Sequence, residues 1–331
     1  MNASATVKTS INVFARGLLL ALFAFWAGTA LAQSGYPSKP IRLVVPFPPG
    51  ASNDIIGRAV GQKLNEALRQ PVVIDNRGGA GGSIGAAIVA RAPADGYTLM
   101  ATSTSYSTNS AVQAGLPFDP VADIAAVAMI GRGPMMVVVA PSVPAQSVAD
   151  LVALAKAKAG QVNYTSSGVG SAPHLTTELF MRQANIEMVH IPYKGLGPAL
   201  ADMFAGRAQV LIASLPSVLP HVKSNRLRAL AVTSPRRSAF MPGLATVSEA
   251  GIPFTSELWW GVFAPARTPA PVVQRLNSEI RAFIVRDDMK RLLADAGAEP
   301  AALSPSEFGK LVAAEIAMWR KVAKERGIKA E

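Results

Sequence analysis

The sequence alternates short apolar runs with segments of helical periodicity, and this alternation restricts the possible fold more than any other feature. Residues 41–47, 72–74 and 97–102 are almost continuously apolar. Between them, residues 54–68 and 83–92 carry apolar side chains at helical spacing. Strands that are apolar throughout and alternate with helices indicate a parallel sheet covered on both faces. The sequence therefore predicts an α/β fold.

A second set of alternating elements begins after Pro144. Ser147 with Asp150 predicts the start of its first helix, and residues 173–184 and 198–205 predict two more. The predicted strands of this set are 162–165, 188–191, 208–213 and 228–233. Further along the chain, helices are expected over 271–285 and 287–296, and from Ser304 over 305–325.

Two such sets predict two doubly wound lobes, which bind ligands at the carboxyl ends of their strands. The apolar runs 135–140 and 259–264 flank the second set, and we interpret them as the two strands that cross between the lobes. The expected division places residues 33–136 together with 263–331 in the first lobe. Residues 137–262 form the second.

The first 32 residues have the order of a secretory signal peptide. Lys8 and Arg16 precede an apolar core over 17–27, and Ala30-Leu31-Ala32 is an A-x-A cleavage sequence. The core is too short for a spanning helix, and no cysteine follows it for attachment of a lipid. We expect cleavage after Ala32 and export of the mature chain.

Composition excludes several classes of protein. Half of the residues are hydrophobic and 16% are charged, which allows a large core and rules out a disordered chain. With no cysteine there is no disulfide scaffold, thiolate nucleophile or Cys-ligated metal. The net charge of +11 comes from scattered basic residues without the concentrated patch that nucleic acid requires. We expect no cofactor, no metal, no nucleic-acid partner and a monomer.

Two patterns suggest catalysis or metal binding but are incomplete. The run GGSIG at 81–85 matches the nucleophile elbow of hydrolases, which leaves an exported esterase using Ser83 as an alternative. Such a serine needs a histidine base, and each of the three histidines has a simpler structural explanation in a strand or at a helix start. His174 and Glu178 have the i, i+4 spacing of metal ligands, but no second histidine accompanies them.

Three segments rich in small polar residues follow predicted strands. They cover 47–54, 102–109 and 165–174. Helix N-termini leave backbone N–H groups unpaired and carry a partial positive charge, so such turns attract carboxylates. Each turn alone could simply cap its own helix. Together, at the carboxyl ends of strands in an exported two-lobed protein, they predict a binding cleft.

Several motifs, in order along the chain, resemble the Bug family of tripartite-tricarboxylate-transporter substrate-binding proteins. These are YPSKPIRLVVPFPPG at 36–50, DNRGGAGG at 75–82, DGYTL at 95–99, HIPYKG at 190–195 and LAVTS at 230–234. The resemblance implies a periplasmic Venus-flytrap binding protein, not an enzyme. It would close on a small carboxylate and deliver it to membrane permease subunits. A receptor that signals to a sensor protein is left open.

By position, the resemblance implies that the turns after the first strand and in the other lobe hold the ligand carboxylate. The implied residues are Phe47, Gly50, Ala51, Ser52, Asn53, Asp54, Ser166, Gly168, Gly170, Ser171 and His174, with Ser103, Tyr106, Tyr193, Lys194 and Ser214 as further cleft residues. The family commonly has a glycine where Ala51 stands and a threonine where Asn53 stands. It also commonly has aspartates at the positions of Gln209 and Ala213, and their absence argues against a contact with a ligand ammonium group there, and so against aspartate or glutamate as ligand.

Overall fold

The computed structural model describes residues 35–50, 52–193 and 195–329. The predicted signal peptide lies outside these residues, as do Ala51 and Lys194. Residues from Pro40 onward form one compact unit. No helix among the described residues is long and apolar enough to cross a membrane.

The first set of strands forms the predicted parallel arrangement. Strands β1 (Ile41–Val45), β2 (Val72–Asn76) and β3 (Thr98–Ser103) pair in the order β2-β1-β3, with both pairings parallel. Helices α1 (Ser52–Leu68) and α2 (Ser83–Ala90) connect them. Because every strand side chain must be covered on both faces, β1 is almost wholly buried. The prediction of an α/β fold is confirmed.

The second set repeats this arrangement. Strand β5 (Asn163–Ser166) pairs in parallel with β6 (Val189–Pro192) and with β7 (Val210–Ser214). The helices of this region are α4 (Val148–Ala157), α5 (Ala172–Ala184), α6 (Leu196–Phe204) and α7 (Leu215–Lys223). Helix α4 begins at the predicted Ser147, whose side chain forms a capping box with Asp150.

Two long strands join the two sets. Strand β4 (Ile124–Val139) pairs antiparallel with β9 (Glu257–Pro265) through its first part and with β7 and β8 (Arg228–Val232) through its last part. Strand β9 also pairs with β3, which gives the order β2-β1-β3-β9-β4-β7-β5-β6. The two predicted crossings lie in β4 and β9. The predicted lobe boundaries fall inside these same strands, and the division of residues between lobes stays a prediction.

The remaining elements cover the joined sheets. Helices α8 (Ala270–Ile284), α9 (Asp287–Asp295) and α10 (Pro305–Glu325) follow β9, with the short strand β10 (Glu299–Pro300) on β4. Helix α10 begins at Ser304, as predicted, with a capping box to Glu307.

The structure differs from the sequence-based expectation at residues 102–109. Most of this polar segment is helical and forms the start of α3 (Ser105–Val112). Tyr106 and Val112 are buried, and α3 packs against α10. Burial of these two side chains stabilises a helix in a segment whose serines and threonines alone favour a turn.

Candidate functional site

The first predicted turn covers residues 47–54, and its described residues 47–50 and 52–54, here called the Gly50 turn, are held by the carboxylate of Asp54. Asp54 is 3% exposed and accepts hydrogen bonds from the Gly50 N–H (2.9 Å), Asn76 Nδ2 (2.9 Å) and Arg58 Nε (3.0 Å). Burial alone would raise the pKa of Asp54, but the bonds from Arg58, Gly50 and Asn76 outweigh it and keep that pKa below its usual value. Asp54 therefore fixes the backbone of the turn at Gly50 and ties it to Asn76 of β2.

Polar groups at the start of α1 belong to the same turn. Ser52 is the first residue of α1, and Asn53 follows it, 6% exposed. The Oδ1 atom of Asn53 is buried and has no hydrogen-bond partner among the described residues. A buried acceptor of this kind is stabilised when a water or a ligand hydroxyl donates to it.

The glycine run after β2 packs against the Gly50 turn. A Cβ atom on Gly82 would lie 3.4 Å from Cζ of the half-buried Phe47. A Cβ atom on Gly85 would lie 2.7 Å from Cβ of Pro46 and 2.9 Å from the carbonyl oxygen of Arg77. Glycines are needed here because the backbone of α2 approaches the turn too closely for a side chain.

The second predicted turn covers residues 165–174, and its part between β5 and α5, residues 166–171, is here called the Ser166 turn. Ser171 is the N-cap of α5, accepting from the His174 N–H and donating to the Gly168 carbonyl oxygen (2.7 Å). Ser166 Oγ accepts from the Gly168 N–H (3.2 Å). Gly168 and Gly170 have φ of 132° and 76°, which side chains rarely adopt. The sequence Ser-Ser-Gly-Val-Gly-Ser therefore encodes this backbone path.

Helix α3 lies against both the Ser166 turn and the glycine run after β2. A Cβ atom on Gly170 would lie 2.5 Å from Cγ2 of Val112 and 3.5 Å from Oδ1 of Asn109. A Cβ atom on Gly81 would lie 2.4 Å from the same Asn109 oxygen. Asn109 therefore lies between the Ser166 turn and the glycine run that supports the Gly50 turn. Asn109 ends the polar segment 102–109 and was not among the predicted site residues.

A stack of three rings, Tyr164, His190 and His174, lies beneath the Ser166 turn. The His174 and His190 ring centroids are 3.9 Å apart, and those of Tyr164 and His190 are 4.8 Å apart. His174 Nδ1 accepts from the Gly170 N–H (3.1 Å), and His190 Nε2 lies 2.7 Å from Ser166 Oγ. Both imidazoles therefore bond directly to the turn.

Burial keeps these two imidazoles neutral. It lowers the pKa of His174 to about 4. Burial, with the neighbouring His174, also lowers the pKa of His190 to about 4, against an opposing effect of Glu178. Because Nδ1 of His174 accepts a hydrogen bond, its proton is on Nε2, which lies 3.8 Å from Oε1 of Glu178.

The further predicted cleft residues have different surroundings. Ser103 Oγ bonds to Ser105 at the start of α3 (3.4 Å). The backbone N–H of Tyr193 donates to the Ser166 carbonyl oxygen (3.2 Å), and its hydroxyl donates to Asp202. Tyr193 therefore adjoins the Ser166 turn, whereas Ser103 contacts the start of α3.

Tyr106 and Ser214 make their contacts elsewhere. The Tyr106 hydroxyl donates to the Pro120 carbonyl oxygen (2.6 Å), and its buried ring packs on Phe263. Burial raises the pKa of Tyr106, with smaller effects of nearby aspartates. Ser214 Oγ bonds to Ser217 (2.6 Å) at the start of α7. Tyr106 is thus a core residue in the first set of strands, and we leave it out of the proposed contacts with ligand.

The residues that suggested catalysis or metal binding have structural contacts. Ser83 donates to the Ala80 carbonyl oxygen (3.0 Å), and the small cavity beside it is lined by polar and apolar residues without a histidine. Glu178 accepts from Tyr164 and from Arg326 Nε (2.6 Å). Within the described ranges, no group of three or more His, Asp or Glu side chains could hold a metal ion.

Two cavities of about 500 Å³ lie elsewhere on the molecule. One lies against β8 and residues 240–244, and the other lies along β9 and α10. Neither includes a residue of the two turns. The backbone donors and the buried polar groups suited to a ligand are at the two turns, and the candidate site is therefore there.

The sequence of the chain is similar to known receptors along most of its length. Residues 56–328 match the profile of a family described as "Tripartite tricarboxylate transporter family receptor". Protein BugT of Bordetella pertussis is 36% identical over 316 residues, which cover 94% of this chain and 97% of BugT. A UPF0065 protein encoded between tcbD and tcbE in Pseudomonas sp. strain P51 is also 36% identical, covering 90% of this chain and 93% of that protein.

Solved structures show the same fold. The R. palustris protein Rpa4515, determined with adipate, is 39% identical with a TM-score of 0.78, over 89% of this chain and 99% of that one. MatC from Rhodopseudomonas palustris, determined with bound malate, is 27% identical with a TM-score of 0.75, over 87% of this chain and 99% of that one. Both are similar to this chain across the two sets of strands.

Proposed function

Because the chain belongs to the tripartite tricarboxylate transporter receptor family, we propose that it binds a small carboxylate between the Gly50 turn and the Ser166 turn, in the periplasm. It then presents this ligand to the permease subunits of a tripartite tricarboxylate transporter. The observation that carries the proposal is the position of Asn109 of α3, between the Ser166 turn and the glycine run that packs against the Gly50 turn. In this proposal the protein binds and releases its ligand without breaking any bond of it.

The chemistry of the two turns suits a carboxylate. Helices α1 and α5 each begin at one of the turns, and a helix N-terminus presents N–H donors together with a partial positive charge. Hydrogen bonds from N–H groups to an ionised oxygen are roughly twice as strong as those between neutral groups. The turns can therefore hold a carboxylate without a dedicated arginine.

The side chains of Gln209, just before β7, and of Ala213, within β7, favour a ligand without an ammonium group. Ala213 is 1% exposed and offers no charge, and the side chain of Gln209 bonds to the Asn163 N–H (2.8 Å) and the Gly206 carbonyl oxygen (3.2 Å). An amino-acid ligand would leave its ammonium group without a carboxylate partner at these positions. Relatives determined with adipate and malate bind diacids of this kind. We therefore propose a dicarboxylate as the ligand class.

Binding is expected to be coupled to closure. A ligand that contacts both turns binds better when they are close together, so it shifts the population toward the closed arrangement. The crossing strands β4 and β9 are the connections about which the two sets of elements would move.

The test is calorimetry on residues 33–331 with adipate, malate and glutamate. We expect binding of at least one of the two diacids and none of glutamate. Gly170→Ala should abolish binding, because its Cβ would meet Val112 at 2.5 Å and strain the turn. Gly160→Ala is the matched control: its φ of 70° is close to the 76° of Gly170, but no atom lies within 4 Å of its Cβ.

Three results would contradict this proposal. Neither diacid binds, Gly170→Ala binds as well as Gly160→Ala, or glutamate binds more tightly than both diacids. Delivery to a permease is tested separately, by cross-linking the ligand-loaded protein in its native membrane. If a sensor protein is captured in place of permease subunits, the protein signals and does not feed a transporter.

A further inference from the structure

One buried carboxylate adjoins the ring stack but is not among the proposed ligand contacts. Glu178, on α5, is 6% exposed. Its Oε1 accepts from the hydroxyl of the fully buried Tyr164, and the same oxygen is 3.8 Å from Nε2 of His174. A buried carboxylate is costly unless each oxygen is paired. The contact with Tyr164 pairs Oε1 but leaves the negative charge of Glu178 to be compensated by a cation.

The positive charge that compensates Glu178 comes from the other end of the chain. Arg326, which ends helix α10, donates from Nε to Glu178 Oε2 (2.6 Å). Its two terminal nitrogens bond to the two carboxylate oxygens of Glu187, each at 2.7 Å. The bond to Glu187 is a bidentate pair, which fixes the plane of the guanidinium. Arg326 therefore reaches Glu178 in a defined orientation.

These residues connect Arg326 to the Ser166 turn through two hydrogen bonds and one 3.8 Å approach of Glu178 to His174. Arg326 bonds to Glu178, Glu178 lies on the Nε2 side of His174, and His174 Nδ1 accepts from the Gly170 N–H. A carboxylate on the Nε2 side favours the tautomer that carries its proton there. Only this tautomer leaves Nδ1 able to accept from Gly170.

We infer that Glu178 and Arg326 are positioning residues for ligand binding: they hold His174 in the tautomer and orientation that fix Gly170, and so preorganise the Ser166 turn. This inference rests on the proposed function, since it concerns the turn that we assign to carboxylate binding. It also makes the C-terminal end of α10 part of the binding apparatus, although no residue of α10 is among the proposed contacts with ligand.

The chain provides a matched control on the same two helices. Arg182 of α5 pairs with Glu325 of α10 at 3.1 Å, and both side chains are more than a third exposed. Glu178→Gln and Glu325→Gln make the same change of charge and shape on neighbouring ion pairs. Only Glu178 adjoins the ring stack.

The experiment measures nitrogen chemical shifts of the histidine side chains, amide hydrogen exchange at Gly170 and affinity for adipate and malate. In Glu178→Gln we expect a fraction of His174 protonated at Nδ1. We also expect Gly170 exchange and the dissociation constant of the bound diacid to rise about tenfold, the loss of one hydrogen bond. Glu325→Gln should change neither by more than about twofold, as exposed pairs contribute little.

Arg326→Gln, with Arg182→Gln as its control, repeats the test from the cationic side. If Glu178→Gln does not fold, this second pair decides the question. An unchanged His174 tautomer together with unchanged Gly170 exchange in Glu178→Gln and Arg326→Gln would overturn the inference. Weaker diacid binding with an unchanged tautomer would also overturn it. If the unsubstituted protein binds neither diacid, the proposed function fails, and the tautomer and exchange data still decide the role of Glu178 and Arg326.

Discussion

Acidification should destabilise the protein through the two stacked histidines. Each pKa falls from 6.5 in the unfolded chain to about 4 in the folded protein, so the folded state binds fewer protons between these values. The stabilising contribution is present above pH 6.5 and is lost as the pH falls through 4. Near pH 5 the loss is about 2 kcal/mol for each imidazole and about 4 kcal/mol for the pair, relative to neutral pH.

A buried glutamate acts in the opposite direction. Burial raises the pKa of Glu315 to about 7 from 4.5, although the hydrogen bond it accepts from Trp259 Nε1 (2.8 Å) tends to lower it. Its contribution to stability is therefore present below pH 4.5 and is lost as the pH rises through 7. Acidification from neutral pH to pH 5 regains about 2 kcal/mol at this residue. The histidine effect is thus best measured in a Glu315→Gln background.

The assay is urea unfolding near pH 7.5 and near pH 5, comparing Glu315→Gln with Glu315→Gln/His190→Gln. We expect removal of His190 to reduce the loss of stability on acidification by about 2 kcal/mol. Carboxylates shared by both proteins cancel in this comparison. An equal loss of stability in the two proteins would refute the argument that burial keeps the stacked imidazoles neutral.

Three further predictions concern single positions. Glu315→Gln alone should make the protein lose about 2 kcal/mol more stability between pH 7.5 and pH 5 than the unsubstituted protein loses, measured in the same urea series. Gly85→Ala should lower the unfolding free energy by about 2 kcal/mol, because its Cβ would overlap the backbone of Pro46 and Arg77; a change below about 0.5 kcal/mol would contradict the close approach. Ser304→Ala should cost about 1 kcal/mol in thermal unfolding through loss of the capping box, and no change in melting temperature would contradict that role.

Much of the fold could be predicted because its signals are local. Continuous apolar runs predicted the strands of the first parallel group, and Ser147 and Ser304 marked helix starts through pairs three residues apart. The Gly50 turn and the Ser166 turn were predicted for the same reason, since glycines and small hydroxyl residues after a strand are a local signal.

What the sequence did not predict depends on contacts between distant residues. The ring stack requires β5 to pair with β6 so that Tyr164 lies opposite His190, and α5 to place His174 over both. His190 in isolation has only the pattern of a strand residue. Helix α3 is a similar case, because its polar residues favour a turn and its stability comes from packing against α10.

Strand β4 has a consequence for how the protein unfolds. Its sixteen residues supply a hydrogen-bonding edge to β9 at one end and to β7 and β8 at the other. A fragment ending before Met135 would contain the first part of β4 without its partner β9, and a fragment beginning there would contain β9 without β3 and the first part of β4. Neither half of the polypeptide can complete its own hydrogen bonding, so we expect the two to melt in a single cooperative transition and truncated halves to aggregate through their open strand edges.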